Sequence, residues 1–263
     1  MRRERKTTGG GRHGLLTAEA GLDETFRSAT SLARMTMKER TMPEGRLVIG
    51  SKRYSSWSLR GWLAVRLAGL DVEEVMIALG ETPSEAIRAA TPAGLVPYLE
   101  HRGAKVWESI AIAEYCAEHA PGLWPADPVL RAHARSIAAE MHASFRGLRQ
   151  AMPMNLGRDF TGGGRTPEAL ADIARIEAIW REARTLSGGP FLGGAGFGLV
   201  DAMYAPVVTR FLTWAPELAA ETRDYMAMVR AHPLMERWYA EAAAEPAAWR
   251  LDKYENPPLA PQG

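Results

Sequence analysis

Three short stretches of the 263-residue sequence combine residue types that could bind or activate a ligand. The first is Tyr54-Ser55-Ser56-Trp57-Ser58-Leu59-Arg60, where a short apolar run gives way to a helical period. A serine at such a junction can cap the helix by accepting hydrogen bonds from its unpaired N–H groups. It can equally aim its hydroxyl at a ligand, where the helix N-terminus adds positive potential that favours an anion such as a thiolate. The second stretch is Thr91-Pro92-Ala93-Gly94-Leu95-Val96-Pro97-Tyr98-Leu99. Proline cannot donate to a sheet ladder, so Pro97 belongs at a strand start or edge. A cis Val96–Pro97 bond would turn the Val96 main chain toward a peptide ligand, whereas an ordinary loop would not, and sequence leaves the isomer open. The third stretch is Glu108-Ser109 at the head of a helix. Capping alone accounts for such a pair. Together they could also grip an amino acid, the carboxylate pairing with its ammonium while the hydroxyl and helix N–H groups take its carboxylate.

The elements that must position these residues follow from hydrophobic period. Arg46–Gly50 reads as a strand, and Leu59, Leu63, Leu67 and Leu70 share one face of a helix over 57–70. A second strand is expected over 72–79, a short helix over 83–90, a hairpin of Tyr98–Glu100 and Lys105–Trp107 turning at Arg102-Gly103, and a helix over 108–119. The order β-α-β-α-β-β-α over 46–120 is that of a thioredoxin-like α/β domain. Pro121, Gly122, Pro125 and Pro128 then mark a linker over 121–129, after which no strand is expected. Amphipathic helices over 130–151, 167–186, 199–212, 217–231 and 233–244 make 130–250 an all-α domain, leaving 251–263 as a tail. Residues 1–45 show no sustained period and read as a disordered arm, with Met35, Met37 and Met42 as possible alternative starts.

Composition narrows the function classes. A hydrophobic fraction of 46% is ample for a core, and a formal charge of +1 offers no global field for nucleic acid or an acidic membrane. A single cysteine, Cys116, excludes an internal disulfide, suits a reducing cytoplasm and comes with no zinc-spaced cluster, so no metal is expected. No apolar run is long enough to span a bilayer and no secretory h-region is present, so the chain is expected to be soluble, with a small molecule as its partner.

Separately the three motifs are weak, but their order and spacing resemble the glutathione transferase family. The resemblance covers about residues 46 to 250, and Ser-Ser-x-Ser-x-Arg at 55–60 is similar to the serine-type classes, the zeta class with its maleylacetoacetate isomerases among them. It implies a thioredoxin-like N-terminal domain that holds glutathione as co-substrate and a helical domain that shapes a pocket for an electrophile. It implies that Ser55, or its neighbour Ser56, hydrogen-bonds the glutathione sulfur as a donor and not as a nucleophile. Val96 would pair with the cysteinyl main chain, Pro97 would hold that loop, and Glu108 with Ser109 would bind the γ-glutamyl end. The resemblance also implies a homodimer. Two departures stand out. Gly198 occupies the cap position of Gly198-Leu199-Val200-Asp201, where the family has Ser or Thr, leaving only the Asp201 half of a capping box. Leu95 stands where many relatives carry a cation for the glycine carboxylate, with Lys52, Arg53 and Arg102 as replacements to consider.

The electrophile pocket is expected between the domains, where Met152, Met154 and Asn155 end the helix over 130–151 and the thioethers suit varied apolar ligands. Simple core filling is the plain alternative for these methionines. Cys116 and His142 read as structural. The competing functions are glutathione conjugation, glutathione-dependent cis–trans isomerisation by the same thiolate, a dithiol oxidoreductase, and a non-catalytic binding module. The dithiol chemistry needs a cysteine near Ser55, and the sequence has none there.

Overall fold

The computed structural model describes residues 42–80 and 84–257. The arm expected over 1–45 lies outside these residues up to 41, as do the first residue of the expected 83–90 helix and the last six of the tail. The first layer is a four-stranded sheet in the order β2-β1-β3-β4, built from β1 (Gly45–Gly50), β2 (Glu73–Ile77), β3 (Tyr98–His101) and β4 (Ala104–Trp107). β1 runs parallel to β2 and antiparallel to β3, and β3 pairs antiparallel with β4. Leu47, Val48 and Ile49 are fully buried because β1 is central and covered on both faces.

Helix α1 (Ser56–Leu67) follows β1, α2 (Glu85–Ala90) precedes β3, and α3 (Ser109–His119) follows β4. Gly61 permits close packing of α1 on the loop before β3, since a Cβ there would meet Pro97 Cγ at 2.7 Å. The rest is helical: α4 (Pro128–Ala143), α5 (Arg146–Ala151), α6 (Pro167–Ser187), α7 (Leu199–Trp214), α8 (Ala220–Arg230) and α9 (Pro233–Ala243). The helix read over 130–151 is thus two helices. The chain breaks at Ser144, which is extended, and at the buried Phe145, held in the left-handed region at φ 63°. Hydrophobic period continues through this corner, so sequence does not reveal it. The expected tail is also structured, with a 3-10 turn (Ala247–Trp249) and α10 (Asp252–Glu255).

α7 is the axis of the helical domain and is buried along nearly its whole length. Its N-terminus explains Gly198. A Cβ at Gly198 would lie 2.9 Å from the Leu123 carbonyl, and that same carbonyl accepts the Leu199 N–H at 3.1 Å. The Leu123 carbonyl of the inter-domain connection therefore takes the first N–H of α7 and occupies the space that a larger cap residue would need, which is why glycine stands at this position. Asp201 supplies the rest: Oδ2 accepts from Gly198 N–H at 3.0 Å, while Oδ1 accepts from Leu192 N–H at 2.9 Å and from the Tyr225 hydroxyl at 2.9 Å. Burial raises its pKa from 3.8 to about 6.

Asp201→Ala would leave three buried donors without an acceptor and is expected to lower unfolding free energy by about 3 kcal/mol or more. Because the folded pKa lies above the unfolded one, this carboxyl's contribution is greatest below 3.8 and is lost as pH rises through about 6. The gap between wild type and Asp201→Ala in urea titrations should accordingly narrow, by roughly 1 kcal/mol, between about pH 5 and about pH 7.

Candidate active site between the sheet and the helical domain

The loop from Ser51 to Ser55 links β1 to α1 and is clamped by the helical domain. Lys52 is buried with its ammonium on Glu74 of β2 and Glu241 of α9, between Trp62 and Trp238 at 5.4 and 5.2 Å from the ring centroids. Trp238 Nε1 donates to the Lys52 carbonyl at 3.1 Å, and Glu245 accepts from the Lys52 and Arg53 N–H groups. This fixes the residues that follow at the mouth of α1.

Ser55 is the N-cap of α1, and its Oγ accepts from Ser58 N–H at 3.2 Å. Its Oγ also lies 2.7 Å from Ser58 Oγ, which in turn accepts from Gly50 N–H at 2.9 Å. Ser55 is the donor of that hydroxyl pair; because both groups are hydroxyls, reversing it, with Ser58 donating to Ser55 Oγ, would turn the Ser55 proton toward a ligand. Capping and ligand donation are then compatible roles of one hydroxyl. Ser56 Oγ accepts from Arg210 Nη2 at 3.3 Å, so its proton too can be directed elsewhere. Tyr54 is spoken for: its hydroxyl donates to Glu255 Oε1 at 2.6 Å and accepts from Leu251 N–H at 3.3 Å. Burial, with Glu255 adding to it, pushes the phenol up to about 12.

Ser55 and Ser56 line a cavity of about 510 Å³ whose walls come from both layers. Trp57, Leu95 and Val96 are shared with an adjoining cavity of about 240 Å³ that ends at Pro97, Trp107 and Glu108. The Val96–Pro97 peptide is cis, and sheet pairing starts only at Tyr98, so the Val96 main chain lies beyond the ladder at the junction of the two cavities. Glu108 precedes α3 at φ 67°, makes no side-chain cap and stands half-exposed, 3.5 Å from His142 Nε2. Ser109 is 1% exposed and does not line either cavity, yet its Oγ has no hydrogen-bond partner among the described residues.

On the helical side the structure separates the residues that the sequence grouped. Met154 lines the larger cavity, but Met152 and Asn155 do not. Met152 is fully buried in the core, where its carbonyl accepts from Arg210 Nε at 2.9 Å. Asn155 is fully buried and ties the C-terminal segment down: its Nδ2 donates to the Tyr254 carbonyl at 2.9 Å and to Glu255 Oε1 at 3.1 Å. Their expected place in the electrophile pocket is therefore corrected: Pro153 and Met154 supply this part of the lining, while Met152 and Asn155 on either side of them are fully buried. The replacements considered for Leu95 do not line the cavity either. Lys52 is neutralised, Arg102 pairs with Glu44 at 2.7 Å, and Arg53 packs against Gly157.

Sequence reasoning missed two groups. Arg149 of α5 and Arg210 of α7 reach the cavity; the available signal was an arginine inside an otherwise apolar helix, Val207–Leu212. Leu251, Lys253 and Tyr254 also line it, and they carry no period that a sequence could show. Tyr254 stacks on Tyr54 at 5.1 Å, and Lys253 Nζ donates to the Gly80 carbonyl at 3.2 Å. His142 lies near Glu108 and edge-on to Trp57 at 5.2 Å, its pKa lowered by burial. Cys116 is buried, which raises its thiol to about 12 and leaves it inert.

Residues 54–119 match the glutathione S-transferase N-terminal domain family and residues 132–241 match the C-terminal domain family. The chain belongs to the glutathione S-transferase family. It is 29% identical over 161 residues to rice Protein IN2-1 homolog A, a stretch spanning 60% of this chain and 62% of that protein. It is 34% identical over 113 residues to the maleylacetoacetate isomerase of Pseudomonas aeruginosa, covering 40% of this chain and 53% of the isomerase. The fold is similar to that of the theta class glutathione S-transferase of Xanthomonas axonopodis pv. citri solved with glutathione bound. The TM-score is 0.56 and identity is 22%, over 75% of this chain and 98% of that one. No zeta-class assignment follows from these likenesses. Among the described residues no helix is long and apolar enough to cross a membrane, and no cluster of His, Cys, Asp or Glu is arranged to hold a metal ion.

The C-terminal wall of the site hangs on Glu255, which takes the Tyr54 and Asn155 donors and lies 3.7 Å from Arg158. Glu255→Ala should free this segment. Trypsin cleavage after Lys253 is expected to accelerate by about tenfold or more while the melting temperature changes little.

Proposed function

We propose that the protein is a glutathione transferase that conjugates the glutathione thiolate to the electrophilic carbon of a small second substrate. The observation that carries this reading is the Ser55 hydroxyl, which lines the cavity at the N-terminus of α1 and whose proton, held by Ser58 Oγ, a bound thiolate could take over when the hydroxyl pair reverses. Ser56 is the neighbouring donor. In this reading Val96 pairs its main chain with the cysteinyl residue and Pro97 shapes that loop. Glu108 meets the γ-glutamyl ammonium, and Ser109 with the α3 N-terminus meets its carboxylate. The unpartnered Ser109 Oγ supports this assignment, since a buried hydroxyl is satisfied by a carboxylate acceptor.

The chemistry needs a thiolate. A free thiol with a pKa of about 8.5 is mostly protonated at neutral pH. One charge-assisted hydrogen bond is worth about 1.5 to 3 kcal/mol, or roughly one to two pH units. The N-terminus of α1 adds to it. As the carbon–sulfur bond forms, the leaving group departs with its electron pair and the thiol proton passes to solvent. Similarity to a maleylacetoacetate isomerase supports a second reading in which the same thiolate adds to a double bond, permits rotation and is expelled, giving cis–trans isomerisation. We place this reaction in the cytoplasm, in a detoxifying role, on the balanced charge and lone buried cysteine.

Ser55→Ala should raise the pKa of bound glutathione thiol by roughly one to two units in ultraviolet titration. The neutral-pH rate should fall about tenfold to a hundredfold with little change in glutathione affinity. If the residue only caps α1, stability falls by about 1 kcal/mol and the thiol pKa stays put. A shift on Ser56→Ala but not on Ser55→Ala would move the role to Ser56.

A homodimer completes the reading, supported by family membership and by Trp107 and Leu95, which are 47% and 62% exposed. Light scattering at micromolar concentration should give about twice the chain mass. A monomer mass there would reject it.

A further inference from the structure

Arg149 and Arg210 stand on the helical-domain wall of the larger cavity, facing the serine pair. Arg210 donates to Ser56 Oγ at 3.3 Å, to the Met152 carbonyl at 2.9 Å and to the Pro206 carbonyl at 3.1 Å. Arg149 donates to the Ser144 carbonyl at 2.9 Å and to that of Met141. These acceptors satisfy geometry without cancelling charge, and neither guanidinium has a carboxylate at salt-bridge distance among the described residues; Asp172, whose charge reaches Arg149, is itself engaged by the Leu148 N–H. Elsewhere in the chain arginines are routinely paired, as in Arg46–Glu100, Arg135–Glu114 and Arg175–Glu140. No Asp or Glu among the described residues lines the larger cavity.

A third guanidinium deepens the imbalance. Arg60 is 1% exposed, donates only to the Met203 carbonyl at 2.7 Å, and keeps Nη1 and Nη2 buried without a partner among the described residues. Arg60 and Arg149 lie 5.0 and 4.7 Å from the Trp57 ring centroid, and burial, with the charges of Arg149 and Arg210 added to it, pushes Arg60 well below its usual pKa, so Arg60 sits behind the cavity wall within the field of the other two. Burial, reinforced by Arg149, lowers Arg210 to about 9, which still leaves it charged at neutral pH. Gathering like charges away from water is costly, and an anion is the group that would offset the cost.

We propose that Arg149 and Arg210 form an anion subsite, so that the second substrate carries a carboxylate on the same small framework as its electrophilic carbon. The inference rests on the glutathione-transfer reading. Glutathione itself is assigned to the Val96 and Glu108 side, whereas the arginines come from the opposite wall together with Pro153, Met154 and Tyr254. Trp57, Met154 and Tyr254 offer apolar surface to the body of such a substrate, and the guanidinium forks suit a carboxylate.

Matched acceptors test this: 4-chloro-3-nitrobenzoate and 4-chloro-3-nitrobenzamide. Both are attacked by the thiolate at the chlorine-bearing carbon; the carbon–sulfur bond forms, chloride leaves with the bonding pair, and the thiol proton goes to solvent. After division by the uncatalysed rates, kcat/KM should favour the acid by about tenfold or more. Arg149→Gln and Arg210→Gln should each bring that ratio close to one. Arg149 is only half-buried, so its variant keeps the test open if Arg210→Gln fails to fold. A wild-type ratio near one, with glutathione bound and the amide turned over, overturns the anion subsite alone. So does a ratio unchanged in the variants while the thiol pKa rises, which would give the arginines to the sulfur. If calorimetry finds no glutathione binding and neither acceptor reacts, the glutathione-transfer reading fails and the subsite falls with it.

Discussion

The buried ammonium of Lys52 holds the site together. It sits in the loop between β1 and α1 and is neutralised by one carboxylate from the sheet, Glu74, and one from the helical domain, Glu241. A buried charge that lost either partner would be strongly unfavourable, so the two layers are obliged to meet at this loop. Trp62 and Trp238 close over the pair, and Trp62 Nε1 donates to Glu74 at 2.6 Å. The serine side of the site lies within a few residues of that clamp: Tyr54, Ser55, Ser56 and Trp57 follow it directly.

The same logic operates at the other end of the interface. Asp201 buries its carboxylate to fix the start of α7, and α7 carries Arg210 to the far side of the serine loop. The Leu123 carbonyl completes the cap of α7 from the connection between the layers, so the orientation of α7 is coupled to the domain that carries the serines. The cavity is therefore bounded by walls that are each fixed by a buried polar anchor, while its contents are set by side chains between them. Its C-terminal wall is a short segment held mainly through one side chain, Glu255, on the buried Tyr54 and Asn155 and the exposed Arg158, which makes it the more easily opened side.

Much of the site was legible in the chain. Ser55, Ser56, Val96 and Glu108 line the two cavities because each sits at a junction between elements, and junctions carry local signals: a cap, a proline, an acidic first turn. Met152 and Asn155 were misread because whether a residue faces a cavity or the core at a helix end depends on one turn of backbone. Arg149 and Arg210 were overlooked because nothing in their neighbours along the chain says that their charges are left unpaired.

Local chemistry by itself determined the order of strands and helices, the family resemblance and the positions where a ligand could be held. Period, capping and proline restriction act within a few residues and so are written in the sequence. Tertiary structure alone decided the corner at Phe145, the folding of residues 251–257 over the cavity, the close approach of the Leu123 carbonyl to the start of α7, and the meeting of two guanidiniums, Arg60 and Arg149, over Trp57. Those features join residues that are distant along the chain, and their energies come from burial and from charges left without a partner, neither of which exists until the two layers close on each other.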